Sequence, residues 1–250
     1  MGPATEQVKP RVLVIVPAYN EAESIGDALD SLAAHAPWAD VVVVDDASRD
    51  ATAAVARARG CAVVQLPCNL GVGGAMQTGY LYAWENGYDV AVQFDGDGQH
   101  RALLIEPLVE EVVSGRADVA LGSRLLDGVR FRFHPLRFIG CWLLSGLVSA
   151  ITRQRITDPT SGFRAVSRGV TGFFRQHYPQ SYLGDTAEAL VWAARQKFRI
   201  IEIPVRMRQR TGGESAVDSI KGIWRTGCIM LAVLMDCLEP KFPDEPEVTA

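Results

Sequence analysis

Cysteine, histidine and long apolar runs are all scarce in this chain, and each shortage narrows what it can be. The five cysteines, Cys61, Cys68, Cys141, Cys228 and Cys237, are odd in number and form no C-x-x-C pair. They read as reduced core residues of a cytosolic protein rather than as a disulfide framework. The four histidines show no spacing with cysteine that would build a zinc site. No stretch reaches the ~18 to 20 apolar residues that a membrane span requires, and MGPATEQVKPR lacks the apolar core of a signal peptide. The expectation is a cytoplasmic chain that does not cross a bilayer by itself. Excess positive charge is also missing: 25 Lys and Arg against 29 Asp and Glu leave a net charge of −4, which argues against a general nucleic-acid partner.

What is present fits a folded enzyme-sized unit. Across 250 residues, 48% are apolar and 22% charged, enough for a sizeable core and too apolar for disorder. Short β-branched runs at 11–16, 40–46, 62–66, 88–94 and 117–122 alternate with helical patterns at 21–34, 50–59, 73–86 and 101–115. Continuous apolar strands separated by helices predict an α/β fold with a parallel sheet covered on both faces. From about residue 125 the pattern changes. Arginines and aromatics lead into an apolar helix at 135–152, the turn-rich DPTSGFR at 158–164, a helix at 184–196, a strand at 199–203 and the loop RQRTGGES at 208–215. The last helix, about 216–238, places Val217, Ile220, Trp224, Cys228, Leu231, Met235 and Leu238 on one face. Spacing favours a packed terminal helix over a membrane-contacting one.

Ligands of such sheets bind beyond the carboxyl ends of the strands, and there the polar residues gather. Pro17, Tyr19 and Glu21 follow the first run, Asp45 and Asp46 the second, Asp95, Asp97 and Gln99 the fourth, and Arg124 the fifth. The loop DGDGQH offers hard oxygen ligands that suit Mg²⁺ or Mn²⁺ completed by water and phosphates; its bland reading is a solvated acidic turn. NLGVGGAMQTGY, at 69–80, fails the dinucleotide fingerprint because Met76 stands where the third glycine belongs. Its glycines allow either close approach to a ligand or tight helix packing. Asp158 is the first candidate for a catalytic carboxylate, with a local turn before Pro159 as the structural alternative.

VPAYNEAESI, VVVVDDASRDAT, NLGVGGAMQTGY, VQFDGDGQH, LGSRLL and DPTSGFRA occur in the order and at the separations of family 2 glycosyltransferases. The sequence most resembles their dolichyl-phosphate mannosyltransferase-like branch, which moves sugars from nucleotide donors onto polyprenyl phosphates. The resemblance implies a GT-A fold over 11–215, between tails at 1–10 and 239–250, with a nucleotide-sugar half at about 11–124 and an acceptor half at about 125–215. It implies a nucleoside pocket of Pro17, Tyr19, Glu21, Asp45, Asp46 and Gly71. The metal and diphosphate site would be Asp95, Asp97 and Gln99.

Arg124, with Arg130, Arg132 and Arg137, would face the acceptor phosphate, and Arg206, Arg208 and Arg210 would close over the diphosphate. Glu188, with Asp185 second, resembles the acidic position of the acceptor half. Asp158, Asp95 and Arg124 carry the catalytic expectation. A metal-dependent inverting transfer follows, from a GDP- or UDP-linked sugar to a lipid phosphate, at the cytoplasmic face of a membrane. The alternatives are a hydroxyl acceptor and a catalytically silent nucleotide-sugar-binding scaffold. VDDAS replaces the family's usual D-D-G-S-T, a change expected to bear on the turn and to leave the acids in place.

Overall fold

The computed structural model describes residues 9–96, 101–126, 135–180, 185–205 and 220–236. Chain order begins β1 (Val12–Ala18), α1 (Ile25–His35), β2 (Asp40–Asp45), α2 (Thr52–Ala58), β3 (Ala62–Gln65), α3 (Gly71–Glu85) and β4 (Val90–Gln93). It continues with α4 (Ile105–Val113), β5 (Val119–Ser123), α5 (Pro135–Thr152), β6 (Arg164–Ser167), α6 (Arg168–Phe174), α7 (Asp185–Arg195), β7 (Ile200–Pro204) and α8 (Ile220–Asp236). Among the described residues these strands form a 7-stranded sheet of order β3-β2-β1-β4-β6-β5-β7. Every pairing is parallel except those of β6, which runs antiparallel to β4 and β5.

Side chains alternate across a strand, and β1 shows the result. Leu13 and Ile15 enter the layer shared with α3, α5, α6, α7 and α8, while Val12, Val14 and Val16 enter the layer beneath α1, α2 and α4. Both faces of the sheet are thereby covered, as the unbroken apolar runs require. The chain passes from β1 outward to β2 and β3, then returns to place β4 on the other side of β1. That reversal opens a crevice between the carboxyl ends of β1 and β4.

Three expectations are corrected. The parallel-strand pattern gave no sign of β6 and α6, because a four-residue strand beginning with arginine has no apolar periodicity of its own. The cysteines are not core residues: Cys68 is exposed, and Cys61, Cys141 and Cys228 are only half-buried; Cys237 lies outside the described residues. The expected packed face of α8 is corrected only where it is described, since Val217 and Leu238 lie outside the described residues and the side chains of Ile220 and Trp224 are not described. Leu231 and Met235, both 59% exposed, point away from the core, and contact is made through Val233, Ile229 and Met230. Within the described residues no helix is long and apolar enough to cross a membrane.

The VDDAS substitution falls at a place where it matters to the backbone. Ala47 has φ +59°, a conformation that costs an L-residue about 1–2 kcal/mol. Ala47→Gly relieves that strain, against about 0.4–1 kcal/mol of extra unfolded-state entropy. The expected result is a gain on the order of 0.5–1 kcal/mol, read as a higher denaturant midpoint at unchanged slope; a lower midpoint refutes it.

Candidate active site

The loops after β1 and β2 are stapled by side chains accepting backbone amides. The Asn20 N–H donates to Ser48 Oγ at 2.9 Å, the Glu21 N–H to Thr52 Oγ1 at 2.8 Å, and the Arg49 N–H to Asn20 Oδ1 at 2.9 Å. Asn20 turns the chain with φ +54°, which asparagine tolerates better than most residues. Tyr19 is left exposed at the rim, with Pro17 and Glu21 half-buried beside it. The Glu21 carboxylate accepts the Ser24 hydroxyl at 2.5 Å.

The adjacent acids of β2 separate in role. Asp45 is buried, and accepts the Ser48 N–H at 3.2 Å and the Gln65 side-chain amide at 3.0 Å. Asp46 accepts the N–H groups of Leu70 at 2.7 Å and Gly71 at 2.8 Å. It therefore caps α3, where unsatisfied amides and the helix dipole favour a carboxylate. Burial pushes its pKa up, against those two bonds. Asp46 and Gly71, both expected in the nucleoside pocket, are bonded to each other by this cap. The glycines that follow serve packing: a Cβ at Gly73 would collide with the Pro179 carbonyl oxygen.

Beyond β4 the chain turns back toward β1. The Phe94 N–H donates to the Ile15 carbonyl at 3.0 Å, and a Cβ at Gly96 would stand 3.7 Å from the Pro17 carbonyl oxygen. Asp95 thus sits in the crevice beside the β1 loop. DPTSGFR reaches the same place from the other side, since Arg164 pairs in register with Gln93. A Cβ at Gly162 would meet Gln93 Nε2 at 2.9 Å and Asp95 Oδ2 at 3.3 Å, so only glycine leaves that carboxylate its room. Arg164 itself is 0% exposed, a buried cation at the end of the sheet that carries the acids. Asp97 and Gln99 lie outside the described residues, as do Arg130, Arg132, Arg206, Arg208 and Arg210. For Arg137 and Asp185 the helical backbone is described and the side chain is not. Glu188 is buried on α7.

Arg124, just past β5, is held by a set of side-chain bonds to the DPTSGFR turn. Its Nε donates to Asp158 Oδ2 at 2.6 Å, its Nη2 to Asp158 Oδ1 at 2.7 Å and to Thr160 Oγ1 at 2.7 Å, and its backbone N–H to Asp158 Oδ2 at 3.0 Å. Such a fork fixes the plane of the guanidinium and leaves Nη1 uncommitted among the described residues. Burial opposes the charge of Arg124, but the hydrogen bonds and charge of Asp158 raise its pKa overall, with Cys141 and Asp95 close enough to contribute. For Asp158, burial would raise the pKa; Arg124 and Thr160 instead hold it below the usual carboxylate value. Both oxygens of Asp158, the expected catalytic carboxylate, are thus engaged, and its proton affinity is lowered. The local turn is real but is closed by the main chain, the Ser161 N–H donating to the Asp158 carbonyl at 3.2 Å.

A further layer escaped the sequence reading. Glu202 Oε1 on β7 accepts the N–H groups of Thr157 at 2.8 Å and Asp158 at 2.9 Å, and Oε2 accepts the Thr157 hydroxyl at 2.8 Å. Because the single hydroxyl proton of Thr157 goes to that carboxylate, Ser123 must be the donor in the 2.7 Å contact between the two hydroxyls. The signal was one acid inside the apolar strand IIEIP.

Comparison with known proteins gives the family and the fold. The family model described as glycosyl transferase family 2 matches residues 13–172. An undecaprenyl-phosphate mannosyltransferase of Micrococcus luteus is 34% identical over 83% of this chain and 88% of its own length. A polyprenol monophosphomannose synthase of Mycolicibacterium smegmatis is 31% identical over 86% and 84%. Among solved structures, glucosyl-3-phosphoglycerate synthase from Mycobacterium tuberculosis, in complex with Mn²⁺, UDP-glucose and phosphoglyceric acid, superposes with a TM-score of 0.68 at 20% identity, over 92% of this chain and 81% of that one.

Proposed function

The chain belongs to glycosyltransferase family 2, with the GT-A fold and relatives named as polyprenyl-phosphate sugar transferases, and on that premise we propose that it moves a hexose from a nucleoside-diphosphate sugar to a polyprenyl phosphate, inverting the anomeric centre. The observation that carries the acceptor assignment is the pinned guanidinium of Arg124, whose Nη1 is uncommitted among the described residues, with Asp95 within electrostatic reach. Fixed guanidinium forks suit phosphate oxygens. A phosphate acceptor is already anionic, so attack on the anomeric carbon needs positioning and no proton acceptor. The acceptor oxygen forms the new bond to that carbon as the bond to the diphosphate breaks, and the electron pair leaves with the nucleoside diphosphate. A hydroxyl acceptor would need a base, and the engagement of both Asp158 oxygens by Arg124 weighs against that residue in the role.

The described part of the acidic loop fits a hard divalent cation. Asp95 presents a carboxylate at the carboxyl edge of the sheet, and glycine at 162 keeps it uncrowded. Asp95, Asp97 and Gln99 would hold the ion, all through oxygen as Mg²⁺ and Mn²⁺ prefer. When bound, it would supply positive charge for the departing diphosphate. Asp45, Pro17, Tyr19 and Glu21 border the crevice as the nucleoside side, in the half at about 11–124.

Lipid contact fits the surface of α5 and α8, which pack on one another. Trp142 is 67% exposed and follows Cys141, the α5 residue within electrostatic reach of Arg124. Leu143 on the same helix, and Leu231, Leu234 and Met235 on α8, are exposed as well, apolar side chains of the kind that enter a bilayer interface. The test is transfer from GDP- and UDP-sugars with Mg²⁺ or Mn²⁺, offering polyprenyl phosphate in liposomes or a free glycan. Product on the lipid alone is expected, together with liposome co-sedimentation that Trp142→Ser and Leu231→Ser weaken. Product on the glycan alone defeats the acceptor assignment, and undiminished co-sedimentation of the variants defeats the docking surface.

A further inference from the structure

Arg124 owes its orientation to Asp158, and Asp158 in turn stands on a turn that two intra-turn contacts alone would not fix. We propose that Glu202 is a positioning residue for acceptor recognition, holding the 157–158 turn so that Asp158 presents the guanidinium of Arg124. The inference rests on the acceptor-phosphate reading of Arg124.

Glu202 lies on β7 opposite Leu121 in the register with β5, two positions from the end of the strand that delivers Arg124. Its carboxylate takes two consecutive main-chain amides and one hydroxyl. Amides bound in this way fix the peptide plane between Thr157 and Asp158, and hence the direction in which the Asp158 side chain leaves the backbone. The Ser123 hydroxyl ties β5 to the same point through Thr157. Arg124 is thus oriented from two sides, by its own strand and by an acid on the neighbouring one. A half-buried carboxyl in an otherwise apolar strand is disfavoured by burial, which pushes its pKa up; three donors are what that cost supports. Carboxylates that orient a functional side chain indirectly are a recurrent feature of built sites.

The test compares Glu202→Gln, Glu202→Ala and, as a reference, Arg124→Lys in the full chain, measuring kcat, the KM of donor and acceptor separately, and the thermal midpoint. Glu202→Gln keeps an oxygen for both amides, and its NH₂ can donate to Thr157, so acceptor KM should stay within about threefold of wild type. Glu202→Ala should raise acceptor KM by about tenfold or more and leave donor KM within about twofold. Should that variant not fold, Glu202→Asp, which withdraws the carboxylate by one methylene, carries the same expectation. A lowered midpoint with both KM values unchanged, or equal changes in both, overturns the proposal and leaves Glu202 a structural staple. If Arg124→Lys itself leaves acceptor KM unaltered, the reading of Arg124 has failed and the proposal falls with it. If Arg124→Lys raises acceptor KM and no Glu202 variant does, the failure belongs to Glu202 alone.

Discussion

Asp158→Asn is expected to cost about 3–5 kcal/mol of stability and to slow transfer on the order of 10²-fold. Asp158 is 1% exposed and the Arg124 side chain 12%, so this is a buried ion pair and not a surface one worth a few tenths of a kcal/mol. Asparagine preserves the shape and one acceptor oxygen. It turns the other position into a donor facing a guanidinium N–H, and leaves the charge of Arg124 without its buried counter-charge. Two effects are therefore combined in one variant, and a second variant separates them. Arg124→Met together with Asp158→Asn removes the buried charge as well as its partner, so stability should return while transfer stays lost. Urea unfolding and transfer rates on the three proteins decide the matter. Wild-type stability in Asp158→Asn would show that the pair is not energetically buried; wild-type transfer in the double variant would remove Arg124 from catalysis.

The parts of the site that were legible in the sequence are those written locally. VPAYNE, VDDAS, FDGDG and GSR each end a strand whose apolar run is visible by itself, and the structure brings Tyr19, Asp45, Asp95 and Arg124 to one edge of the sheet. The parts that were not legible depend on partners distant in sequence. Asp46 and Asp45 are adjacent and chemically identical, yet one caps α3 through Leu70 and Gly71 while the other faces Ser48 and Gln65. No spacing rule separates them. The pairing of Asp158 was not legible because Arg124 lies 34 positions away, and Glu202 was passed over because the turn it binds is 45 positions away. β6 was missed for a related reason: RAVS is strand only because β4 and β5 flank it.

The face of α8 illustrates a different limit. CIMLAVLM is apolar all round, so a periodicity of 3.6 residues has no contrast from which to choose a direction. Tertiary neighbours chose Val233, leaving Leu231 and Met235 outward. Those outward residues are the ones that the Leu231→Ser variant of the liposome test probes.

Chelation by EDTA and the substitution Asp97→Ala are each expected to remove transfer by about 10³-fold or more, on the scale of the several kcal/mol a divalent cation contributes to a developing phosphate charge. The fold should survive both. β4 is held through Gln93 by its pairing with β1 and β6, and α4 from Ile105 is anchored by Leu108 and Val112 in the core, so neither depends on the loop between them. Loss of activity at an unchanged thermal midpoint is the expected signature, and adding back Mn²⁺ or Mg²⁺ should restore the chelated wild type but not the variant. Gly162→Ala approaches the same acids from the opposite side. Its methyl carbon would press on Gln93 Nε2 and Asp95 Oδ2, so it should raise the metal concentration needed for half-maximal rate while the acceptor KM stays as it was. Full activity in EDTA would mean that the acids at the end of β4 serve something other than a cation, and would leave Arg164 as the positive charge to which they answer.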